Sequence, residues 1–326
     1  MNSSPLKFLG IEVDALNIAQ LNNLIAKSIQ MQRKWIIANH NLNSLHIYHH
    51  DPKMRAFYAK ADYTHIDGMP LVLIGKLRGY SVEREHRVTY ADWVYPLMKE
   101  AANKGWRIFY LGSKQGVADK AADILRLKYP GLKIACAHGY IDVRQDSQDN
   151  QNTIAAINAF QPHILMVGMS MPRQEHWILD NLEQLQTNVI LPSGACMDYV
   201  AGVVPTPPRW MGRMGLEWSY RLFSEPKRLW KRYLIQPWFI SKLLIQEMWG
   251  IQNQPQLSFV NKTRVSTGTQ QNLSLKEKSR VKRSRKKTYP FASFRNAANP
   301  LPSHQAINMH DQWLKTHNSR FLERHI

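Results

Sequence analysis

A single acid closes the segment His65-Ile66-Asp67-Gly68-Met69-Pro70, directly before a glycine and close to a proline. Placed at a strand end, Asp67 is a candidate general base facing a ligand cleft. Asp-Gly is also a good turn pair in its own right, and spacing alone leans toward that plainer reading. Further on, Arg87-Val88-Thr89 stands before Asp92. Thr89 or Asp92 suits a helix cap, and Arg87 suits a phosphate or carboxylate. Two more segments share one design, a strand running through glycine into a helix. In Leu111-Gly112-Ser113-Lys114-Gln115-Gly116 the backbone amides at the helix start are a natural phosphate or nucleotide cradle. The segment lacks the Gly-Lys-Ser/Thr of a P-loop and the GxGxxG of a dinucleotide fold. In Gly168-Met169-Ser170-Met171-Pro172-Arg173-Gln174-Glu175, Gln174 and Glu175 fall in the first helical turn. A carboxylate there complements the helix dipole; contact with a sugar or uridine group is the sharper reading.

The remaining chemistry is basic and aromatic. Arg221, Arg228 and Arg232 recur at helical steps in Gly215 to Tyr233, with Arg213 upstream and Trp218, Phe223, Trp230, Tyr233, Trp238 and Phe239 among or after them. Such a segment suits an anionic lipid surface, or an arginine clamp on a diphosphate. A solvated basic face over packed aromatics is the structural alternative. His40, His46, His49 and His50 cluster, but the pattern is not HExxH, so ordinary surface histidines are expected. No Asp-x-Asp occurs, which argues against a metal-bridged nucleotide-sugar site. No metal and no cofactor is expected.

The elements that must position these residues alternate. Trp35 to Ala38, the weaker Ala61 to Asp67, Trp106 to Leu111, Leu132 to Ala137, Ile164 to Val167 and Val189 to Leu191 read as strands. Helical patterns run to Tyr48, over Pro52 to Lys60, Tyr90 to Lys104, Val117 to Leu127 and Thr153 to Phe160, with another starting at Pro172. This alternation predicts an α/β fold, a mostly parallel sheet flanked by helices. Ligands in such sheets sit at the carboxyl ends of strands, here the turns at Asn39, Asp67, Gly112 and Gly168. The expected organisation is an α/β core over residues 1–204, an aromatic and basic appendage over 205–250, and a basic, disordered tail over 251–326 that holds KEKSRVKRSRKK.

The chain has 326 residues, 44% of them hydrophobic, enough for a sizeable core. A net charge of +19 favours polyanionic partners: nucleic acid, an anionic membrane surface or phosphate-bearing substrates. Cys136 and Cys196 have no CxxC spacing and are expected as reduced thiols. The first ten residues show no secretory pattern, and no stretch reaches the ~18 apolar residues of a spanning helix. The expectation is a cytoplasmic protein, peripheral on the inner face of the plasma membrane.

The order of these pieces is more telling than any one of them. Asp67-Gly68, Arg87-Val88-Thr89, Leu111-Gly112, Tyr129-Pro130-Gly131, Gly139-Tyr140, Pro172-x-Gln174-Glu175, Asp198-x-x-Ala201-Gly202, Pro208-x-Trp210 and Gly215-Leu216-Glu217-Trp218 follow one another, closed by Arg221-Leu222, Glu225-Pro226, Arg228 and Arg232-Tyr233. Over about residues 6 to 245 the chain resembles the WecG/TagA/CpsF glycosyltransferases. The resemblance implies a Rossmann-like domain with a C-terminal helical, membrane-associating appendage, a UDP-sugar donor (N-acetylmannosamine in the best-known members) and a sugar on undecaprenyl diphosphate as acceptor. It implies Asp67 as the catalytic base, and Asn39, Asn41, Arg87, Thr89, Gly112, Ser113, Gly168, Gln174, Glu175 and Asp198 as substrate-binding. Arg213, Arg221, Arg228 and Arg232 would hold the acceptor diphosphate at the membrane. Asn39-His40-Asn41 stands where the family usually has Thr-x-Asn, which leaves donor-sugar specificity open. Thr206-Pro207-Pro208 replaces a frequent Arg-Ala-Pro, so one cation is missing.

The expected reaction is a direct, inverting displacement, with UDP charge stabilised by amides near Gly112 and Gly168 and by appendage arginines. Two rival classes stay open: a nucleic-acid-binding protein, disfavoured because the basic residues lie largely outside the core, and a noncatalytic nucleotide-sugar sensor. A homo-oligomer is compatible with the sequence, and neither the sugars nor the polysaccharide pathway is fixed by it.

Overall fold

The structure is a computed structural model that describes residues 4–204, 211, 217–224, 226–230 and 236–249. Two short strands, β1 (Leu6–Phe8) and β2 (Ile11–Val13), form an antiparallel hairpin. Six further strands form one sheet: β3 (Trp35–His40), β4 (Tyr63–Ile66), β5 (Arg107–Gly112), β6 (Lys133–Ala137), β7 (Ile164–Gly168) and β8 (Val189–Pro192). Their spatial order is β4-β3-β8-β7-β5-β6, and every pairing is parallel. The expected α/β architecture is therefore present.

The helices follow from caps and stops readable in the chain. α1 (Ile18–Gln30) opens on a capping box between Asn17 and Gln20. α2 (Leu42–His50) is capped by Asn41, and α3 (Pro52–Lys60) by Asp51 with proline at its first position. α4 (Met69–Leu77) follows Gly68. α5 (Tyr90–Lys104) is capped by Thr89 and ends at Gly105, whose φ of 66° is the left-handed stop that glycine favours. The others are α6 (Val117–Lys128), α7 (Gln148–Phe160), α8 (Arg173–Asn181), α9 (Cys196–Val200), α10 (Glu217–Ser224), α11 (Pro226–Trp230) and α12 (Gln236–Met248).

The sheet alternates strictly between two cores. Ile36, Ala38, Phe109, Leu111, Leu165, Val167 and Ile190 face one side, where the hairpin, α2, α3, α4, α7, α8 and α12 pack. Ile37, Ile108, Tyr110, Ile164, Met166, Val189 and Leu191 face the other, against α1, α5, α6 and α9. Period-two alternation with apolar residues on both faces is what a sheet covered on both sides requires. β5 feeds α6 and β7 feeds α8, and these two helices lie on opposite faces. The gap between the carboxyl ends of β5 and β7 is thus a topological switch point. β3 and β8 likewise send α2 and α9 to opposite faces.

Among the described residues no helix is long and apolar enough to cross a membrane.

Candidate active site

The sheet brings the predicted residues to one edge. Asn39 is level with His65, and Gly112 with Gly168. The β3–β8 register pairs Trp35 with Val189 and Ile36 with Ile190; carried forward, it sets Asn39 opposite Ser193. One row therefore crosses the carboxyl ends of the strands: His65, Asn39, Ser193, Gly168 and Gly112.

Asp67 stands one residue past β4. Its N–H donates to the His40 carbonyl at 2.8 Å, tying the turn to the end of β3. Gly68 has φ 114°, a conformation that side chains disfavour, so the pair is a genuine turn. The Asp67 side chain is half-buried. Its Oδ2 accepts from Asn41 Nδ2 at 3.1 Å and from Asn39 Nδ2 at 3.3 Å. Both amides converge on one oxygen, which orients the carboxylate. Asn41 also caps α2, its Oδ1 accepting from the Ser44 N–H at 3.0 Å. Asn39, in place of the family threonine, thus still reaches the acid.

The floor is more polar and more buried than the sequence suggested. His40 is 1% exposed, so the expectation of surface histidines fails for it. It stacks on Tyr58 at 3.8 Å between centroids, and its Nδ1 lies 3.0 Å from Ser44 Oγ. Strand alternation turns this residue into the core, and burial pushes its pKa down to about 3, which keeps the ring neutral at physiological pH. Tyr58 donates its hydroxyl to the Asn39 carbonyl at 2.8 Å.

Glu175 is fully buried in the first turn of α8. Its Oε1 accepts from Gln174 Nε2 at 2.8 Å, and Gln174 Oε1 accepts from the Gly194 N–H at 3.2 Å. Burial pushes the Glu175 carboxyl up to about 7, with the Gln174 hydrogen bond working against it. Its Oε2 has no partner among the described residues. Helix-dipole compensation alone would not need such burial.

Thr89 caps α5, as one of the two expected readings had it, and its hydroxyl donates to Asp92 Oδ2 at 3.0 Å. Arg87 pairs with the same Asp92 oxygen at 2.8 Å. An isolated bridge from Arg87 to Ile66, and the Val88 N–H donating to the Ile66 carbonyl at 2.9 Å, hold this arginine's backbone against the end of β4, next to Asp67.

The glycines have a packing reason. A Cβ on Gly112 would meet the Gly168 carbonyl oxygen at 2.5 Å and the Tyr110 hydroxyl at 2.6 Å. A Cβ on Gly168 would overlap that same hydroxyl and meet the Gly194 carbonyl at 2.5 Å. Ser113, at φ 60°, gives its N–H to the Gly168 carbonyl at 3.3 Å and sets its hydroxyl 2.9 Å from that of Tyr110. Ser170, at φ 65°, takes the same left-handed conformation after β7. Two non-glycine residues in that region, one and two residues past the ends of adjacent strands, are the kind of strain that collects at functional edges. Asp198 sits half-buried in α9, and its neighbour Met197 packs in the core.

A family model described as Glycosyl transferase WecG/TagA/CpsF family matches residues 6–253. The chain belongs to the WecG/TagA/CpsF glycosyltransferase family. Two relatives from Staphylococcus aureus, strains MW2 and NCTC 8325 / PS 47, are each N-acetylglucosaminyldiphosphoundecaprenol N-acetyl-beta-D-mannosaminyltransferase; each is 25% identical over 238 residues, covering 70% of this chain and 88% of the relative.

In this glycosyltransferase helix α12 packs against α2 and the hairpin. Phe239 sits among His46, His49 and His50, at 5.1, 5.6 and 4.8 Å between centroids. Glu247 accepts from the Leu9 N–H at 2.9 Å and lies 3.3 Å from Arg78. Gln236 Nε2 donates to Asn43 Oδ1 at 3.0 Å, two residues beyond Asn41. Trp238, Ile245 and Trp249 share the opposite face and are exposed. Arg221 and Arg228 lie in α10 and α11, with side chains outside the described residues; Arg213, Arg232 and the tail over 251–326 lie outside them altogether.

Sequence reading missed His65, Tyr90 and Ser193. Ser193 follows the apolar run Val189 to Leu191 in a Pro192-Ser193-Gly194 segment, and His65 lies within a strand candidate. Neither type at such a place carries a chemical signal until the sheet register sets them side by side.

Proposed function

We propose that this protein transfers a hexose, N-acetylmannosamine or a close relative, from a UDP-sugar to an N-acetylglucosamine carried on undecaprenyl diphosphate. The observation that carries the reading is the Asn39–Asp67–Asn41 constellation at the carboxyl ends of β3 and β4, in a chain of this family. Asp67 is the general base. Two amides occupy its Oδ2, and its Oδ1 takes the proton of the acceptor hydroxyl. The hydroxyl oxygen then attacks the donor's anomeric carbon from the side opposite the phosphate, and the bond from that carbon to the phosphate oxygen breaks. The configuration inverts and UDP leaves with its charge. Arg87 at the end of β4, Gln174 in the first turn of α8, and the appendage arginines Arg213, Arg221, Arg228 and Arg232 are the groups that would steady that charge.

The membrane reading rests on α12. Its inner face is held to α2 and the hairpin, while Trp238, Ile245 and Trp249 point outward beside Lys242. An apolar, tryptophan-rich stripe of this kind suits the headgroup boundary of an anionic bilayer, where the lipid-linked acceptor lies.

The test is UDP release by the purified protein with a short-chain diphosphate-linked N-acetylglucosamine acceptor across a panel of UDP-sugars. Acceptor-dependent release with one donor is the expected result. Asp67→Asn should keep the fold and lower turnover by roughly 10²-fold or more. A variant that turns over at the wild-type rate would remove Asp67 from the mechanism.

A further inference from the structure

Asp67 takes both of its amide partners from one short run, Asn39-His40-Asn41, where β3 gives way to α2. Two donors converge on one oxygen only if the backbone between them is held, and every residue of this run is held. Asn39 gives its carbonyl to the Tyr58 hydroxyl at 2.8 Å. His40 gives its carbonyl to the Asp67 N–H at 2.8 Å and sets its Nδ1 3.0 Å from Ser44 Oγ. Asn41 donates its N–H to Ser44 Oγ at 2.8 Å, and the Ser44 hydroxyl donates back to the Asn41 carbonyl at 2.9 Å.

Ser44 is the hub of these bonds. It is completely buried in the first turn of α2, and its own N–H goes to Asn41 Oδ1 at 3.0 Å. That last bond fixes which way the Asn41 amide points: with Oδ1 committed to the helix start, only Nδ2 is left for Asp67. A helix cap needs no more than this pair. The rest of the cluster goes further. Strand alternation turns His40 away from Asn39, to the face where α2 and α3 pack, and there its ring lies flat on that of Tyr58. With the Ser44 hydrogen on the Asn41 carbonyl, the neutral His40 ring donates through Nδ1. Burial pushes the Tyr58 phenol well up, and the Glu175 carboxyl adds to that, so its hydroxyl keeps the proton it gives to Asn39.

We propose that Ser44 and Tyr58 are positioning residues for the transfer: with the His40 ring between them, they hold the amides of Asn39 and Asn41 on Asp67 and so aim its carboxylate at the acceptor hydroxyl. Neither side chain needs to meet a substrate. Tyr58 acts on Asn39 through its carbonyl, and Ser44 acts on Asn41 through its peptide N–H, its carbonyl and its side chain. The inference rests on the transferase reading above for the step that is served, and on these hydrogen bonds for the network itself.

Ser44→Ala and Tyr58→Phe test it, each in the wild type and in the Asp67→Asn background. In the wild type Ser44→Ala should lower kcat about tenfold and Tyr58→Phe about threefold, with the KM of UDP-sugar and of acceptor unchanged, because an ill-aimed base slows the step without weakening binding. In the Asp67→Asn background the same substitutions should cost less than about twofold, since no base is left to aim. A purely structural role would lower Tm and leave kcat of the folded enzyme alone, so wild-type kcat in both variants overturns the proposal. So does a loss as large without Asp67 as with it, which would place the effect elsewhere. Should Ser44→Ala not fold, Tyr58→Phe, which keeps its ring on His40, decides alone by the same criteria. If the wild type transfers from no UDP-sugar, the reaction reading fails by itself, and crystal structures of the variants decide the network. An amide of Asn39 or Asn41 that leaves hydrogen-bond reach of Asp67 supports it; both amides in place in every variant refutes it.

Discussion

The two halves of the sheet's carboxyl edge differ in how they treat their polar groups. On the β5–β7 side the space is filled. Tyr110 and Ser113 bond to each other, Ser113 donates to the Gly168 carbonyl, and at Gly112 and Gly168 the neighbouring backbone and the Tyr110 hydroxyl come so close that no side chain fits. On the β4–β3–β8 side, Asn39, His65, Ser193, Tyr90 and Glu175 are buried as deeply but leave polar atoms without partners among the described residues. Both sides lie at switch points where ligands of open α/β sheets bind. The difference teaches that a glycine-marked turn need not be the cradle: here the glycines make room for protein, and the unfilled hydrogen-bonding capacity lies two strands away, around Asp67.

The largest effect that would test this contrast comes from Gly168→Ala. The added methyl must displace both the Tyr110 hydroxyl and the Gly194 carbonyl, and backbone cannot yield as a flexible side chain can. Loss of soluble protein, or a fall in Tm of more than ~10 °C, is expected; a variant with wild-type Tm would show that the closed side is loosely built. Next comes Glu175→Gln. A carboxyl raised from 4.5 to about 7 binds its proton more tightly when folded than when unfolded. Stability is therefore drained as pH climbs from about 4.5 through 7, by on the order of 3 kcal/mol once ionisation is complete. The amide cannot ionise, so Tm of the variant relative to the wild type should rise between about pH 5 and pH 8. A gap that stays constant over that range would mean Glu175 is charged and satisfied throughout. The smallest effect is a pair of tyrosines. Tyr110→Phe breaks a paired hydroxyl and should cost about 1 kcal/mol in urea denaturation, whereas Tyr90→Phe deletes an unpaired one and should cost nothing or stabilise slightly. Equal costs would erase the distinction between the two sides.

Much of the fold was legible because its signals are local. The apolar runs at Trp35, Trp106, Ile164 and Val189 became strands, and Thr89 capped a helix where its hydroxyl allowed it. The hairpin before Asp14, α1 and α4 escaped notice. The hairpin strands are three residues each, and its turn places Leu9 at φ 52°, a conformation that leucine does not advertise; the turn is fixed by bonds from Leu9 to His49 and Glu247, far along the chain. Likewise His40 read as one of four surface histidines, because a cluster in sequence says nothing about which strand face each member takes.

The sequence by itself determined the alternation of strands and helices, the family, and the acid at position 67, since each is encoded in contiguous residue types or in the order of short motifs. Only the tertiary structure decided the strand order, the meeting of Asn39 and Asn41 on one oxygen of Asp67, and the gathering of His65, Asn39 and Ser193 into one row with Tyr90 of α5 against His65. Those depend on register between strands distant in the chain. Whether a buried polar atom is satisfied is a property of its neighbours in space, and no residue carries that information alone.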